Sequence, residues 1–254
     1  MLKKRLIGVI TVKDNWAVQS IGYKSYLPLG KPKIIAENLD RWGVDEIICL
    51  SIDRSIKKQG PNYELIKSIT SQNIATPLTY GGGIDNYQDA AKVIKCGVER
   101  LIIDNAFHNN TKEVIKISEK IGSQALIISL PVCINKNSLK IYNYLKKELI
   151  NLNSEMSNFF INNYSSEIML IDKNNEGFKN GFNKEVLDNF PLKEPKKIIF
   201  GGLDNIEKIK YLISHNEVEA IAIGNYLNFK EHNVQKIKEA IKLKYLRKSY
   251  YKKN

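Results

Sequence analysis

Gly81-Gly82-Gly83-Ile84-Asp85-Asn86, a stretch of helical periodicity and then Leu101-Ile102-Ile103-Asp104-Asn105 form a block that returns about 120 residues later. The second copy reads Gly201-Gly202-Leu203-Asp204-Asn205, another helical stretch, and Ile221-Ala222-Ile223-Gly224-Asn225. A fainter echo links Asp45-Glu46-Ile47-Ile48 with Ser166-Glu167-Ile168-Met169. Around these copies short apolar runs, at 6–12, 46–50, 77–80, 100–103, 125–130, 167–171, 198–200 and 220–223, alternate with amphipathic segments. Most runs are nearly continuous in Ile, Leu and Val, as in strands buried on both faces of a parallel sheet. Between them Ile35, Leu39 and Trp42, then Val114, Ile117 and Ile121, then Ile206, Ile209 and Ile213 recur at helical spacing. Strands and helices in that alternation fit a (β/α)8 barrel or a doubly wound open sheet. The repeat decides between them, because two (βα)4 units close into one barrel whereas an open sheet gives no reason for such halves. The expected fold is therefore α/β, a TIM barrel of two half-barrel repeats. No linker divides it, so 1–254 reads as a single domain with a short basic tail over about 246–254. In 134–165 the Asn-rich sequence and the Tyr142/Tyr144 alternation predict a hairpin before the fifth helix.

A chain of 254 residues with 43% hydrophobic content carries enough apolar surface for a sizeable core, which excludes a disordered protein. The 39 Lys and Arg against 27 Asp and Glu give a net charge of +12, and Lys242, Lys244, Arg247, Lys248, Lys252 and Lys253 crowd the C-terminus. Such a tail reads first as a solvated end, with nucleic acid not expected as a partner. Cys49, Cys96 and Cys133 are odd in number and share no CxxC spacing, and His108, His215 and His232 are scattered. No disulfide framework, metal site or cofactor is expected, and the cysteine usage fits a reducing, cytoplasmic setting. Lys3-Lys4-Arg5 followed by 6–12 mimics a signal peptide, but Lys13-Asp14 cut it short, so a buried first strand is the better reading. No apolar run approaches the ~18 residues of a membrane span.

In a barrel the functional loops follow the C-terminal ends of the strands. Gly82-Gly83 and Gly201-Gly202 sit there, each before a helix, where backbone N–H groups and the helix dipole favour an anion. Asn105 and Asn225 follow the next strand of each half, with Gly224 beside Asn225, and Gly177 in the loop after strand six adds a further donor. Read functionally, these residues are two phosphate cradles for a ligand phosphorylated at both ends; read structurally, the glycines serve tight turns. At the opposite end Arg5, Glu46, Arg100 and Glu167 begin strands one, two, four and six. They form either a ring of salt bridges around the barrel axis or solvated strand-end charges.

Set side by side, these positions resemble the cyclase subunit of imidazole glycerol phosphate synthase over nearly the whole chain. MLKKRLI at the start, VKD at 12–14, GVDEI at 43–47, TYGGGI at 79–84, GSQALII at 122–128, SEIML at 166–170 and GGLDN at 201–205 carry the likeness. The resemblance implies a glutaminase docked as a heterodimer on the N-terminal face and ammonia passing through the barrel to a bis-phosphorylated substrate. It puts the four-charge ring on the family's ammonia gate, with Arg100 where a lysine is usual. It also puts Glu99 where a carboxylate helps hold the glutaminase.

The departures are as informative. The family's acid–base pair consists of two aspartates at the ends of strands one and five, and those positions read Thr11 and Pro131 here. A threonine hydroxyl has no useful pKa near neutrality and proline has no ionisable group. Gln19 stands where the mobile loop carries a lysine, Asn15 where it has glycine, and Ser51 where strand two ends in aspartate. Asp53, Asp104 and Asp172 lie near the same mouth, Asp172 being the substitute acid to weigh, with loop capping as the plainer role for all three. The pattern resembles second-copy paralogues found with surface-glycan genes, which implies ammonia supply to a sugar amidotransferase for amidination. The alternatives are a working cyclase/lyase of histidine biosynthesis and a non-catalytic scaffold.

Overall fold

The computed structural model describes residues 3–179, 181–228, 232–241 and 246–247. Eight strands make the barrel: β1 (Arg5–Lys13), β2 (Glu46–Ser51), β3 (Leu78–Gly81), β4 (Arg100–Ile103), β5 (Leu126–Asn135), β6 (Glu167–Asp172), β7 (Lys196–Phe200) and β8 (Val218–Ile223). Each pairs in parallel with the next in sequence, and β8 pairs with β1 through Arg5↔Ala220 to Gly8↔Ile223, so the sheet has closed on itself. The helices α1 (Pro32–Trp42), α2 (Tyr63–Thr70), α3 (Tyr87–Lys95), α4 (Thr111–Ile121), α5 (Ser154–Ile161), α6 (Glu185–Asp188), α7 (Ile206–Ser214) and α8 (Asn233–Ile241) follow the strands in turn. The two copies of the repeat fall on β3–α3–β4 and β7–α7–β8, four strands apart. In both copies the final asparagine of the glycine block caps the helix it precedes. Asn86 accepts from the Asp89 N–H, and Asn205 from those of Glu207 and Lys208.

Side chains alternate across each barrel strand. Leu6, Ile10 and Val12 of β1 face the helices, while Ile7 and Val9 point inward to meet Ile48, Leu50, Ile102, Ile127, Met169, Ile171, Ile198 and Phe200. The same parity puts Arg5, Ile7, Val9 and Thr11 in one inward column, and Arg100, Ile102 and Asp104 in another. At Gly8, on the outward face, an added Cβ would lie 2.8 Å from Leu39, so glycine lets α1 pack close against β1.

Two hairpins extend the barrel at its C-terminal end. The expected one follows β5, with strands Ser138–Asn143 and Glu148–Ile150 running on from Val132↔Ile141. The other was not legible as strands: Trp16–Ile21 and Ser25–Gly30 fold back on β1 through Val12↔Ala17 and Lys13↔Trp16. Both begin with a two-residue turn at positive φ, Asp14-Asn15 (51°, 65°) and Lys136-Asn137 (46°, 59°), the turn geometry that matches strand twist. The three cysteines are free and buried, and burial pushes the Cys49 thiol up to about 12. No helix among the described residues is long and apolar enough to cross a membrane. Of the basic tail, only Leu246 and Arg247 fall among the described residues; the rest lies outside them.

Candidate functional site

Because Arg5, Glu46, Arg100 and Glu167 are each the first residue of an inward-facing column, the four side chains meet at the N-terminal end of the barrel. Arg5 Nη1 lies 2.6 Å from Glu46 Oε2 and Arg5 Nη2 is paired with Glu167 Oε1. Arg100 closes the circuit, 3.5 Å from Glu46 Oε1 and 2.5 Å from Glu167 Oε2. Thr79 Oγ1 donates to Glu46 Oε1 at 2.6 Å and Arg100 donates to Ser166 Oγ at 2.8 Å. The two carboxylate side chains are only 3% and 7% exposed, a burial tolerable because each meets two guanidinium groups. Burial pulls the Arg5 pKa down, but the Glu167 and Glu46 charges more than offset it and leave it raised. Glu99, immediately before Arg100, is exposed on the same face.

At the C-terminal mouth, Thr11 and Pro131 are buried inside their strands rather than at the tips, opposite Leu50 and Ile171 respectively. Asp172 has the wrong parity for the barrel interior: Glu167, Met169 and Ile171 define the inward column and Asp172 falls on the other face. Its carboxylate is tied down by the Asn183 N–H at 2.7 Å and the Asn175 side chain at 2.8 Å. Burial nevertheless raises its pKa, against those hydrogen bonds. Asp53 accepts from the Asp14 N–H at 3.1 Å and pairs with Lys57 at 2.6 Å, which is loop capping.

Asp104 behaves differently. It continues the inward column of Arg100 and Ile102, accepts from Ser129 Oγ at 3.2 Å, and has His108 Nε2 3.5 Å from its Oδ1. That oxygen and both His108 ring nitrogens are buried with no hydrogen-bond partner. Burial drives the Asp104 carboxyl up to about 8, the Ser129 hydrogen bond acting against it, and drives His108 down to about 4. Asp172 was the substitute acid expected from the sequence; column parity with Arg100 and Ile102 is the signal, not used there, that picks out Asp104 instead.

The pH dependence follows from these directions. An unfolded chain loses the Asp104 proton near 3.8 and the folded chain only near 8, so between those values the unfolded state binds fewer protons and stability falls as pH rises. His108 gives the opposite slope between about 4 and its ordinary 6.5, so the Asp104 effect stands alone above that. From pH 6.5 to 8 the wild-type chain is expected to lose about 2 kcal/mol that Asp104→Asn does not lose, measured by urea unfolding at both pH values. Parallel losses in the two proteins would show that this carboxyl is already ionised.

The hairpin after β1 covers this mouth. Its tip residue Tyr23 packs on the inward-facing apolar cluster. Burial, then the Glu176 and Asp104 charges, push its phenol well up. Glu176, in the loop after β6, fastens the hairpin by accepting from Ser20 Oγ at 3.0 Å and from the Tyr23 N–H at 3.1 Å. Asn225 donates to the Ser20 carbonyl at 2.7 Å, and a Cβ on Gly177 would fall 2.2 Å from that same oxygen, so only glycine lets the hairpin seat there. Gln19 is buried within the hairpin.

Of the expected anion-binding residues, Gly177, Gly201, Gly202, Gly224 and Asn225 come together around a cavity of about 490 Å3 that also touches Glu176, Lys179 and Phe200. Gly82, Gly83 and Asn105 line neither this cavity nor a smaller polar one of about 200 Å3 between Asp14, Ser51, Asp53 and Arg54. Among the described residues no group of three or more His, Cys, Asp and Glu is arranged to hold a metal ion.

The closed parallel sheet with alternating helices makes this a (β/α)8 barrel, with a charged ring at one end and a glycine-lined cavity at the other, and comparison with known proteins gives the family. The chain belongs to the histidine biosynthesis protein family, whose pattern matches residues 5–233. It is 27% identical over 235 residues to a Vibrio vulnificus (strain YJ016) protein provisionally named imidazole glycerol phosphate synthase subunit hisF2, covering 92% of this chain and 86% of that one. It is 24% identical over 252 residues to imidazole glycerol phosphate synthase subunit HisF of Natranaerobius thermophilus, covering 94% and 95%. Against the subunit HisF of Thermotoga sp. (strain RQ2) the figure is 26% over 246 residues, covering 95% and 96%.

Proposed function

We propose that this chain is a cyclase-subunit-like barrel that pairs with a glutaminase and conducts ammonia for amidination of a surface-glycan sugar, not for ring closure. The observation that carries the reading is the contrast between the two ends. At one end four charges are paired around the axis, each from the first residue of a strand. At the other, the positions where the family has its acid and base are Thr11 and Pro131. The relatives' names make them subunits of a synthase, which supports a partner protein here. The glutaminase would sit on the face that presents Glu99 and the ring, and ammonia would enter between the paired charges. Within the barrel the Ile7, Ile48, Ile102, Ile127 and Met169 layer offers neutral ammonia an apolar path and gives ammonium no counter-charge. Gly177, Gly201, Gly202, Gly224 and Asn225 would hold a phosphorylated ligand, and the acceptor of the ammonia would be a separate amidotransferase.

A second reading, a working cyclase/lyase, gains one specific observation: Asp104 faces inward with its carboxyl pushed up to about 8, whereas Asp172 falls on the other face and is held by Asn175 and Asn183. The test of the pairing is co-purification with a glutaminase encoded beside this chain, followed by glutaminase kinetics with and without the barrel. Stimulation on the order of tenfold is expected, the size of an ordinary coupling free energy between two sites. Unchanged glutaminase rates in a complex that forms would remove the conduit role and leave the scaffold.

A further inference from the structure

The two glycine blocks are copies in sequence, yet the chain treats them differently. Around the second lies the cavity of about 490 Å3 described above, open to Gly201, Gly202, Gly224 and Asn225. At the first, the place of an anion is taken by side chains of the protein itself. The Gly83 N–H donates to Ser55 Oγ at 3.2 Å, and the Tyr144 hydroxyl, from the tip of the hairpin after β5, reaches the same Ser55 side chain. Asn105 Nδ2 donates to Asp85 Oδ1 at 3.2 Å and its Oδ1 accepts from Asn109 at 2.6 Å; the Asn225 Nδ2 is likewise held by the Ser20 carbonyl at 2.7 Å, so the two asparagines differ in that Asn225 lines the open cavity and Asn105 does not. Asp104 stands beside it, where any ionised fraction repels an anion.

We propose that this barrel takes a ligand with a single phosphoryl group, seated at Gly201, Gly202, Gly224 and Asn225, because Ser55, Tyr144 and Asp85 occupy the position of a second. The inference rests on the phosphate reading of the second cradle given under Proposed function. A hydroxyl at Ser55 meets the Gly83 donor without adding charge, and the Tyr144 hydroxyl holds that same side chain from the hairpin. A second phosphoryl group would have to displace both side chains and strip Asn105 from Asp85. Its binding contribution would be spent on breaking those contacts. The ligand class is therefore a sugar monophosphate or an equivalent singly phosphorylated small molecule, in contrast to the bis-phosphorylated substrate that the family resemblance implies.

The experiment is calorimetric titration of the full chain with three probes: inorganic phosphate, ribose 5-phosphate and fructose 1,6-bisphosphate. One site per chain is expected, with the two sugar phosphates within about threefold of each other in affinity. Asn225→Asp, which puts a negative charge in the second cradle, is expected to weaken both at least tenfold. Ser55→Gly combined with Tyr144→Ala and Asp85→Ala removes the three side chains that fill the first cradle and is expected to favour the bisphosphate over the monophosphate by at least tenfold. Thermal unfolding of each variant shows whether it folds, and the wild-type comparison stands by itself if one does not. A bisphosphate that binds wild-type protein tenfold or more tighter than the monophosphate overturns the single-phosphate inference while leaving the phosphate reading in place. Absence of binding by all three probes overturns both, and glutaminase stimulation then decides the ammonia route separately.

Discussion

Supplied with free ammonia and the bis-phosphorylated precursor of imidazole glycerol phosphate, the isolated barrel is expected to form that product at least about two orders of magnitude more slowly than a relative with aspartate at both positions. Each positioned acid or base contributes roughly 10²–10⁴-fold, and two are missing. Their losses need not multiply, because groups acting as a unit lose most of their effect with the first deletion. Neither replacement can stand in: Thr11 offers a hydroxyl far from its pKa, and Pro131 lies in β5 with nothing to ionise. Asp172 is turned to the outer face and held by Asn175 and Asn183, so it has no route to a ligand in the mouth. Asp104 faces inward with its carboxyl pushed up to about 8 by burial, and Tyr23 is near enough to feel its charge. The assay is single-turnover product formation. Fast turnover that disappears in Asp104→Asn would transfer the acid–base role to that residue and make the chain a cyclase.

Removing a charge from the N-terminal ring is expected to be costly in stability. Glu46→Ala takes away the partner of Arg5 at 2.6 Å and of Arg100 at 3.5 Å, and the acceptor of Thr79. Two guanidinium groups would then share Glu167 alone. Breaking a buried ion pair by deleting one member typically costs about 3–5 kcal/mol, since the remaining charge is left without compensation. Because the Arg5 and Arg100 side chains keep 17% and 16% exposure, water moderates the loss and the lower half of that range is expected. Urea unfolding of the wild type and Glu46→Ala checks it, with Glu46→Gln as the milder change. A loss under about 1 kcal/mol would mean that the ring behaves as surface ion pairs do. Arg100→Lys is expected to retain the pairing to one carboxylate at a time, since an ammonium lacks the fork that lets Arg100 reach Glu46, Glu167 and Ser166 together.

Much of this architecture could be read from the chain, and the reasons are physical. β1 and β5 are nearly continuous in apolar residues, broken inside by Thr11 and Ser129, because both faces are buried, and the period of the repeat placed β3–β4 against β7–β8. Arg5, Glu46, Arg100 and Glu167 were legible as a ring because strand starts in a closed parallel barrel share one end. The hairpin at Trp16–Ile21 and Ser25–Gly30 was not, since its second strand is exposed and carries Pro28, which removes the alternation that marks a strand. Gly82, Gly83 and Asn105 looked equivalent to Gly201, Gly202 and Asn225, yet Ser55 and Tyr144 arrive at the first set from distant parts of the chain. Long-range arrivals of that kind leave no local pattern. Asp104 was passed over for Asp172, although its parity with Arg100 and Ile102 marks it as inward-facing, and the burial that changes its acidity is a product of long-range packing.

On the proposed reading, ammonia is released at one end of the barrel and is not used for ring closure at the other. The most direct measurement follows both ends in one vessel: the complex of this chain with its glutaminase, given glutamine and the bis-phosphorylated precursor, with glutamate and imidazole glycerol phosphate quantified together. Sustained glutamate release with no imidazole glycerol phosphate is the predicted result. One imidazole glycerol phosphate formed per glutamine consumed would contradict it.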